Sequence, residues 1–380
     1  MAGVILLVVL IVAVTGFLLT RKSPTLPGPG PSSTPSVSAT TSGTTNPGPV
    51  KAPMQGLVLE RAAQLDDAAA GLVGGLVANA SWADLQPTVD GPITDGNAID
   101  QALAMASTFN TAHPTTPVAV KIRVLAGTAA PEWAKTLNGF QPVPVSNVQS
   151  GQAGTLGPFW TPAYTAAYSQ LQAKLAARYD ANPLIRDVTI SQCMTVFAEP
   201  FQRDDTNFEQ LFAQGYSVDA DRACLSGQIA AHRVWRTTHQ SLAFNPYRPW
   251  QDNGSGSLSQ PLGSEVFPIA VMAQCRAVLG VLCTLENNSI RQQFITLPQQ
   301  PSSSAKPMLA QYAAMYEAMR RLGPALTFQT AGPRAVGDLH ATVAWAITLG
   351  ANSVEIPQTY DPAAMSADNA ALMANPTGPR

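Results

Sequence analysis

Charge is what this chain has least of. Only 12% of its 380 residues are Asp, Glu, Lys or Arg, and the formal net charge is −2, where soluble domains usually carry about 25% charged residues. A near-neutral, charge-poor surface excludes nucleic acid as a partner, because phosphate binding needs a basic patch. The four cysteines, Cys193, Cys224, Cys275 and Cys283, form no CxxC pair, which argues against a zinc site; no metal and no cofactor is expected. No glycine-rich dinucleotide fingerprint follows the first strand-like segment, which argues against an open nucleotide-binding sheet.

What is present begins with "VILLVVLIVAVTGFLLT", residues 4–20, an uncharged run followed by Arg21 and Lys22. It is at the short limit for a membrane span, and no clear A-x-A cleavage site follows. Residues 1–22 therefore read as an uncleaved signal anchor, with a cleaved signal peptide as the rival, and membrane contact is expected through residues 4–20. Residues 23–52 are almost all Pro, Gly, Ser and Thr, a composition that cannot offset its ordering entropy and suits a disordered linker. The two charges after the apolar run favour a cytoplasmic C-terminal side by the positive-inside rule, whereas the stalk favours an extracytoplasmic domain, anchored or secreted. An even number of cysteines in an exported domain predicts two disulfides. The pairing Cys193–Cys224 with Cys275–Cys283 closes two local loops; buried free thiols are the alternative.

From residue 53 to 372 strand-like and helix-like segments alternate about eight times, before a short tail at 373–380. The strand-like segments are "QGLVLE" (55–60), 74–82, 118–127, "DVTISQCMTVFAE" (187–199), 241–247, 281–288, 325–332 and 352–358. Apolar strands without strict alternation suit a parallel sheet covered by helices. Eight units over about 320 residues point to α/β architecture in the form of a single (β/α)8 barrel. The weak point is the first unit, where "RAAQLDDAAAGLV" alone joins strands one and two.

Active sites of such barrels lie at the C-terminal strand ends. Glu199 closes the fourth strand-like segment, and Glu286 and Glu355 lie on the sixth and eighth. Each has a plain structural alternative: Glu199 a helix-leading carboxylate, Glu286 a turn residue, Glu355 an ion pair with an arginine such as Arg123. Paired carboxylates are what glycoside hydrolysis needs, one donating a proton to the departing oxygen and one attacking or activating water. Aromatic residues Trp82, Trp133, Tyr247, Trp250 and Tyr360 follow strand ends, where they suit sugar platforms; Arg123, Asn245 and Gln329 stand beside them as expected sugar contacts.

Three stretches carry a family resemblance. "ASWADLQPTVDGPITDGNAIDQALAMA" (80–106), "VKIRVLAGTAAPEW" (120–133) and "YSQLQAKLAARYDANPLIRDVTISQCMTVFAEP" (168–200) resemble segments of the clan A glycoside hydrolases, in feel closest to their β-galactosidase-like members. The match is good over about residues 74–200 and holds in outline beyond. The resemblance implies a carbohydrate substrate or ligand and makes Glu199 the acid/base. It departs from the family twice. Ala198 stands where the clan has Asn, and "LTFQTAG" puts Gln329 where a seventh strand would end in the nucleophile. Glu355 is then the leading nucleophile if the strand count is one too high; otherwise the nucleophile is absent or has moved to Glu355 or Glu286. A carbohydrate-binding pseudoenzyme of the cell envelope is the rival reading.

Overall fold

The computed structural model describes residues 48–62, 65–254, 257–295, 307–357 and 361–377. The 4–20 segment, most of the 23–52 stretch and Tyr360 lie outside the described residues. Among those described, no helix is long and apolar enough to cross a membrane.

Eight parallel strands close into a barrel: β1 (Gly56–Leu59), β2 (Gly75–Ser81), β3 (Ala119–Leu125), β4 (Ile185–Thr189), β5 (His239–Ala243), β6 (Cys283–Ile290), β7 (Leu326–Thr330) and β8 (Ser353–Ile356). The ring shuts where Gly56 pairs with Ser353 and Leu59 with Ile356. Each overlaps one of the strand-like segments of the sequence, in the same order, so Gln329 lies on the seventh strand and Glu355 on the eighth.

Helices α1 (Ala98–Ala112), α2 (Pro162–Tyr179), α3 (Val218–Ala231), α4 (Val266–Leu279), α5 (Pro307–Leu322), α6 (Leu339–Leu349) and α7 (Pro362–Ala374) surround the barrel. Several start where side chains satisfy the free first-turn amides: Asn97, Thr161, Ser217, Asp338 and Asp361 each accept from the first turn. The first unit is short of a helix; only a 3-10 turn, Asp67–Ala69, is described between β1 and β2. The flank it leaves is covered from the other end of the chain. Asn369 of α7 accepts from the Leu57 amide at 2.9 Å and donates to the Gly71 carbonyl at 3.2 Å.

The ends of the expected domain shift accordingly. Residues 373–377, expected as tail, touch the barrel: Gln55 donates to Met373 O at 3.1 Å and Asn352 to Pro376 O at 2.8 Å. Lys51, expected in the linker, donates from Nζ to Asn182 O (2.8 Å), Ile185 O (3.0 Å) and Thr238 Oγ1 (2.8 Å), beneath the starts of β4 and β5.

Both disulfides form in the local pairing, Cys193–Cys224 and Cys275–Cys283, with Cα separations of 6.0 and 5.8 Å.

The barrel interior has two layers. Near the strand starts Met54, Val58, Val77 and Ala119 make a small apolar cluster. Above it lie charged residues, as the next section describes. The main core, between barrel and helices, is largely apolar, with a few buried polar side chains such as Gln172, Gln228 and His232 set into it.

Candidate active site

Residues two apart on a strand face the same way, so Lys121 and Arg123 of β3 both point into the barrel. Each is almost fully buried, and a buried cation demands a partner. Lys121 Nζ meets Glu286 Oε1 at 2.7 Å and Glu355 Oε1 at 2.8 Å. Arg123 donates to Glu355 Oε2 and stands 3.8 Å from Glu286 Oε1. Glu286 and Glu355 have no exposed surface. Burial alone would raise the Glu355 pKa, but Arg123 and Lys121 outweigh it and hold the carboxyl below its ordinary value. Asp187, in register with Lys121 and accepting from Ser241 Oγ at 2.6 Å, is driven the other way. Burial pushes it up to about 6, against the pull of Lys121.

Above this layer the barrel opens into a cleft of about 650 Å³ lined by Glu60, Asn79, Arg123, Leu125, Gln152, Phe197 and Gln329, among others. Neither Glu286 nor Glu355 lines it. Glu60 follows directly on β1 and keeps part of its surface exposed. Gln329 Nε2 donates to Glu60 Oε1 at 3.0 Å, while Gln329 Oε1 lies 3.4 Å from Arg123. Burial, assisted by the Glu355 charge, raises the Glu60 pKa against the Gln329 hydrogen bond.

Glu199 reaches the mouth by an unexpected route. The fourth strand ends at Thr189 and not at Glu199, because the chain turns off the sheet and packs on the loop after β3. Thr128 N donates to Thr195 O at 2.9 Å. Gly127, at φ +47°, makes room: a Cβ there would come within 2.0 Å of Thr195 O. The loop is fixed on both sides of Glu199. Cys193 is bonded to α3, and Arg203 pairs with Asp221 of α3 at 2.5 Å while donating to Cys193 O at 3.1 Å.

Glu199 keeps part of its surface exposed, while its carboxyl is buried enough for desolvation to dominate its titration. Its Oε1 accepts from Gln202 Nε2 at 3.1 Å and Asn245 Nδ2 at 3.2 Å. Asn245, just past β5, is held through its carbonyl by Asn287 (3.0 Å), Ser289 (3.3 Å) and Tyr312 (3.1 Å). Burial pushes Glu199 up to about 7, against the Asn245 hydrogen bond and the nearby Arg123 charge. A second hollow of about 130 Å³, lined by Gln202, Asn245, Ser289, Arg291 and Tyr312 among others, adjoins it.

The expected aromatic platforms lie elsewhere. Trp82 is fully buried, edge-packed by Trp133 at 5.5 Å and Tyr164 at 5.3 Å, and both indoles are tied to Gln86. Tyr247 is buried and donates to Asp221 at 2.7 Å. Trp250 stacks near Phe208 and donates to Arg203 O at 2.9 Å. These rings carry polar atoms that need partners when buried, and they serve loop packing. The aromatic ring in the cleft is Phe197. Sequence reasoning passed over both Phe197 and Glu60; Glu60 ends an apolar run in the same way as Glu199. Among the described residues, no cluster of three or more His, Cys, Asp or Glu side chains suits a metal ion.

No family model matches the sequence, and no curated protein matches it either. Solved structures do. The fold is similar to the catalytic domain of a beta-amylase from Paenibacillus polymyxa, with a TM-score of 0.50 and 11% identity over 86% of this chain and 100% of that one. It is also similar to a beta-galactosidase from Marinomonas ef1, with TM-score 0.46 and 11% identity over 83% and 59% of the two chains. A third match is endo-glycoceramidase II from Rhodococcus sp., with TM-score 0.45 and 11% identity over 83% and 77%. The resemblance to glycoside hydrolase barrels read from the sequence therefore holds at the level of fold.

Proposed function

We propose that the protein is a glycoside hydrolase that works outside the cytoplasm, with Glu199 as proton donor to the departing sugar oxygen. The observation that carries this is the state of Glu199. It is a partly exposed residue at the barrel mouth whose carboxyl is positioned by Asn245 and Gln202 and pushed up to about 7 by burial. A general acid must hold its proton at working pH, and burial is the usual means. Arg123, Asn79, Gln152 and Gln329 offer the polar contacts that fix hydroxyl-rich ligands, and Phe197 the apolar face. The two disulfides favour an oxidising compartment, and the apolar run at 4–20 is the means of export or tethering.

The test is substrate-dependent. Glu199→Gln spares activated aryl glycosides, whose leaving groups need no proton, and loses turnover of natural glycosides by about 100-fold or more. Equal loss on both classes counts against the assignment. A second reading is favoured by Gln329 on β7 together with the ion pairs that tie the buried Glu286 and Glu355 to Lys121 and Arg123: a barrel that binds carbohydrate without cleaving it. An oligosaccharide bound and never hydrolysed across a broad panel decides for it.

A further inference from the structure

We infer that Glu60 is the second catalytic carboxylate, the general base that deprotonates the attacking water; this rests on the glycosidase reading above. Of the carboxylates inside the barrel, Asp187, Glu286 and Glu355 are shut in; of those near its mouth, Glu60, Glu199 and Asp204 keep exposed surface, and Glu60 is the one that lines the cleft. A group that touches water and substrate has to come from the accessible ones.

Position supports the same choice. In a ring of eight strands two lie three steps from β4: β7 on one side and β1 on the other. β7 carries an amide, Gln329, which neither attacks nor takes a proton. β1 leads into Glu60, and the two side chains are hydrogen-bonded to each other at 3.0 Å. The carboxylate thus stands beside Gln329, delivered by the neighbour-but-one strand. Its backbone is fixed as well, since Asn79 Nδ2 of β2 donates to Glu60 O at 2.9 Å. Arg123 lies close enough to influence both Glu60 and Glu199.

The environment of Glu60 suits a base more than a nucleophile. Burial and the Glu355 charge below it raise its proton affinity, and proton abstraction is most efficient when the pKa approaches the operating pH. The step is then a single displacement. A water O–H proton passes to Glu60 as the water oxygen bonds to the anomeric carbon. The glycosidic C–O bond breaks with its electron pair on the leaving oxygen, which takes the proton of Glu199. One water is consumed, Glu60 ends protonated, Glu199 ends ionised, and solvent restores both. The anomeric configuration inverts.

The experiment uses the wild-type chain and its Glu60→Gln variant on a panel of aryl and natural glycosides, with the anomer of the first product followed by proton NMR. Expected are inversion by the wild type and a loss of about 100-fold or more in kcat on aryl and natural substrates alike for Glu60→Gln. The acidic limb of the kcat/KM profile disappears in that variant while the basic limb, set by Glu199, remains. Should Glu60→Gln not fold, Glu60→Asp, one methylene shorter, replaces it, with at least a tenfold loss expected. Retention of configuration, or a variant within tenfold of wild type, overturns the role of Glu60 and leaves the glycosidase reading intact. A wild type that cleaves nothing in the panel overturns both.

Discussion

Glu199 takes its chemistry from its surroundings, and one neighbour can be removed to prove it. Asn245 donates a hydrogen bond that favours the ionised carboxyl, so Asn245→Ala raises the Glu199 pKa further above about 7. The acid is active while protonated and is lost as pH rises through this value; the variant's basic limb therefore moves to higher pH. Carbon NMR titration of the Glu199 carboxyl reads the same shift without a substrate, and a shift downward contradicts the account. The variant also leaves Asn287 and Tyr312 short of an acceptor, which costs about 1–3 kcal/mol for each group left buried and unpaired. At this scale the sequence was legible in part. Glu199 could be picked out because an acid closes an apolar run in a charge-poor chain. The pairing of Glu355 with Arg123, weighed from sequence as a structural alternative, is present. Glu60 obeys the same rule at the end of "QGLVLE", but its place over the barrel depends on β1 pairing with β8 at the far end of the chain, which no local pattern announces. The aromatic expectations misled for a physical reason: a tryptophan past a strand end packs as readily against the next loop as against a sugar, and sequence does not tell which face is left open.

Strand β3 concentrates the electrostatics of the barrel. "VAVKIRVLAG" places two cations at alternate positions of an otherwise apolar strand, and on a barrel strand that pattern can only aim both inward. Lys121 is the keystone of the resulting layer, touching Glu286 and Glu355 together. Lys121→Met strips a fully buried pair of carboxylates of one of its two cations and leaves Arg123 alone with them, and removing one partner of a buried ion pair costs about 3–5 kcal/mol. Urea denaturation at pH 7 measures it, and a loss under about 1 kcal/mol would mean the layer relaxes by taking up protons. The strands themselves were legible because a buried parallel strand is a short apolar run between breakers. The end of β4 was not, since the departure of the chain after Thr189 depends on the loop after β3 and on Cys224, both distant in sequence.

Taken whole, the domain is held by its core and by two covalent ties of unequal reach. Cys193 and Cys224 are 31 residues apart, and Cys275 and Cys283 are 8 apart. By loop-closure entropy the longer loop contributes about 3.5 kcal/mol and the shorter about 2.5 kcal/mol. Replacing Cys193 and Cys224 by Ser lowers stability more than the same change at Cys275 and Cys283, as paired denaturation curves would register. Thiol titration of the unfolded, unreduced protein finds no free thiol; four reactive thiols would reverse the assignment. The trimmed domain gives a further check. Removal of residues 1–47 leaves a folded barrel, whereas removal through residue 52 takes away the three Lys51 hydrogen bonds under β4 and β5 and lowers the unfolding midpoint. Equal midpoints for the two truncations would show that the strap contributes nothing.

The way the two ends of the domain meet bears on its manufacture. The first barrel strand hydrogen-bonds to the eighth, and the helix that covers it is the last of the described helices. A polypeptide emerging N-terminus first can pair "GLVL" with β2 on one edge, but has nothing for its other edge until residues near 353 arrive, and no cover for it until α7 follows. The ring therefore cannot close on a nascent chain. Contacts of such long sequence separation form late, and a barrel that lacks its closing strand until residues 353–356 are made stays open, and narrow enough to thread a pore, up to that point.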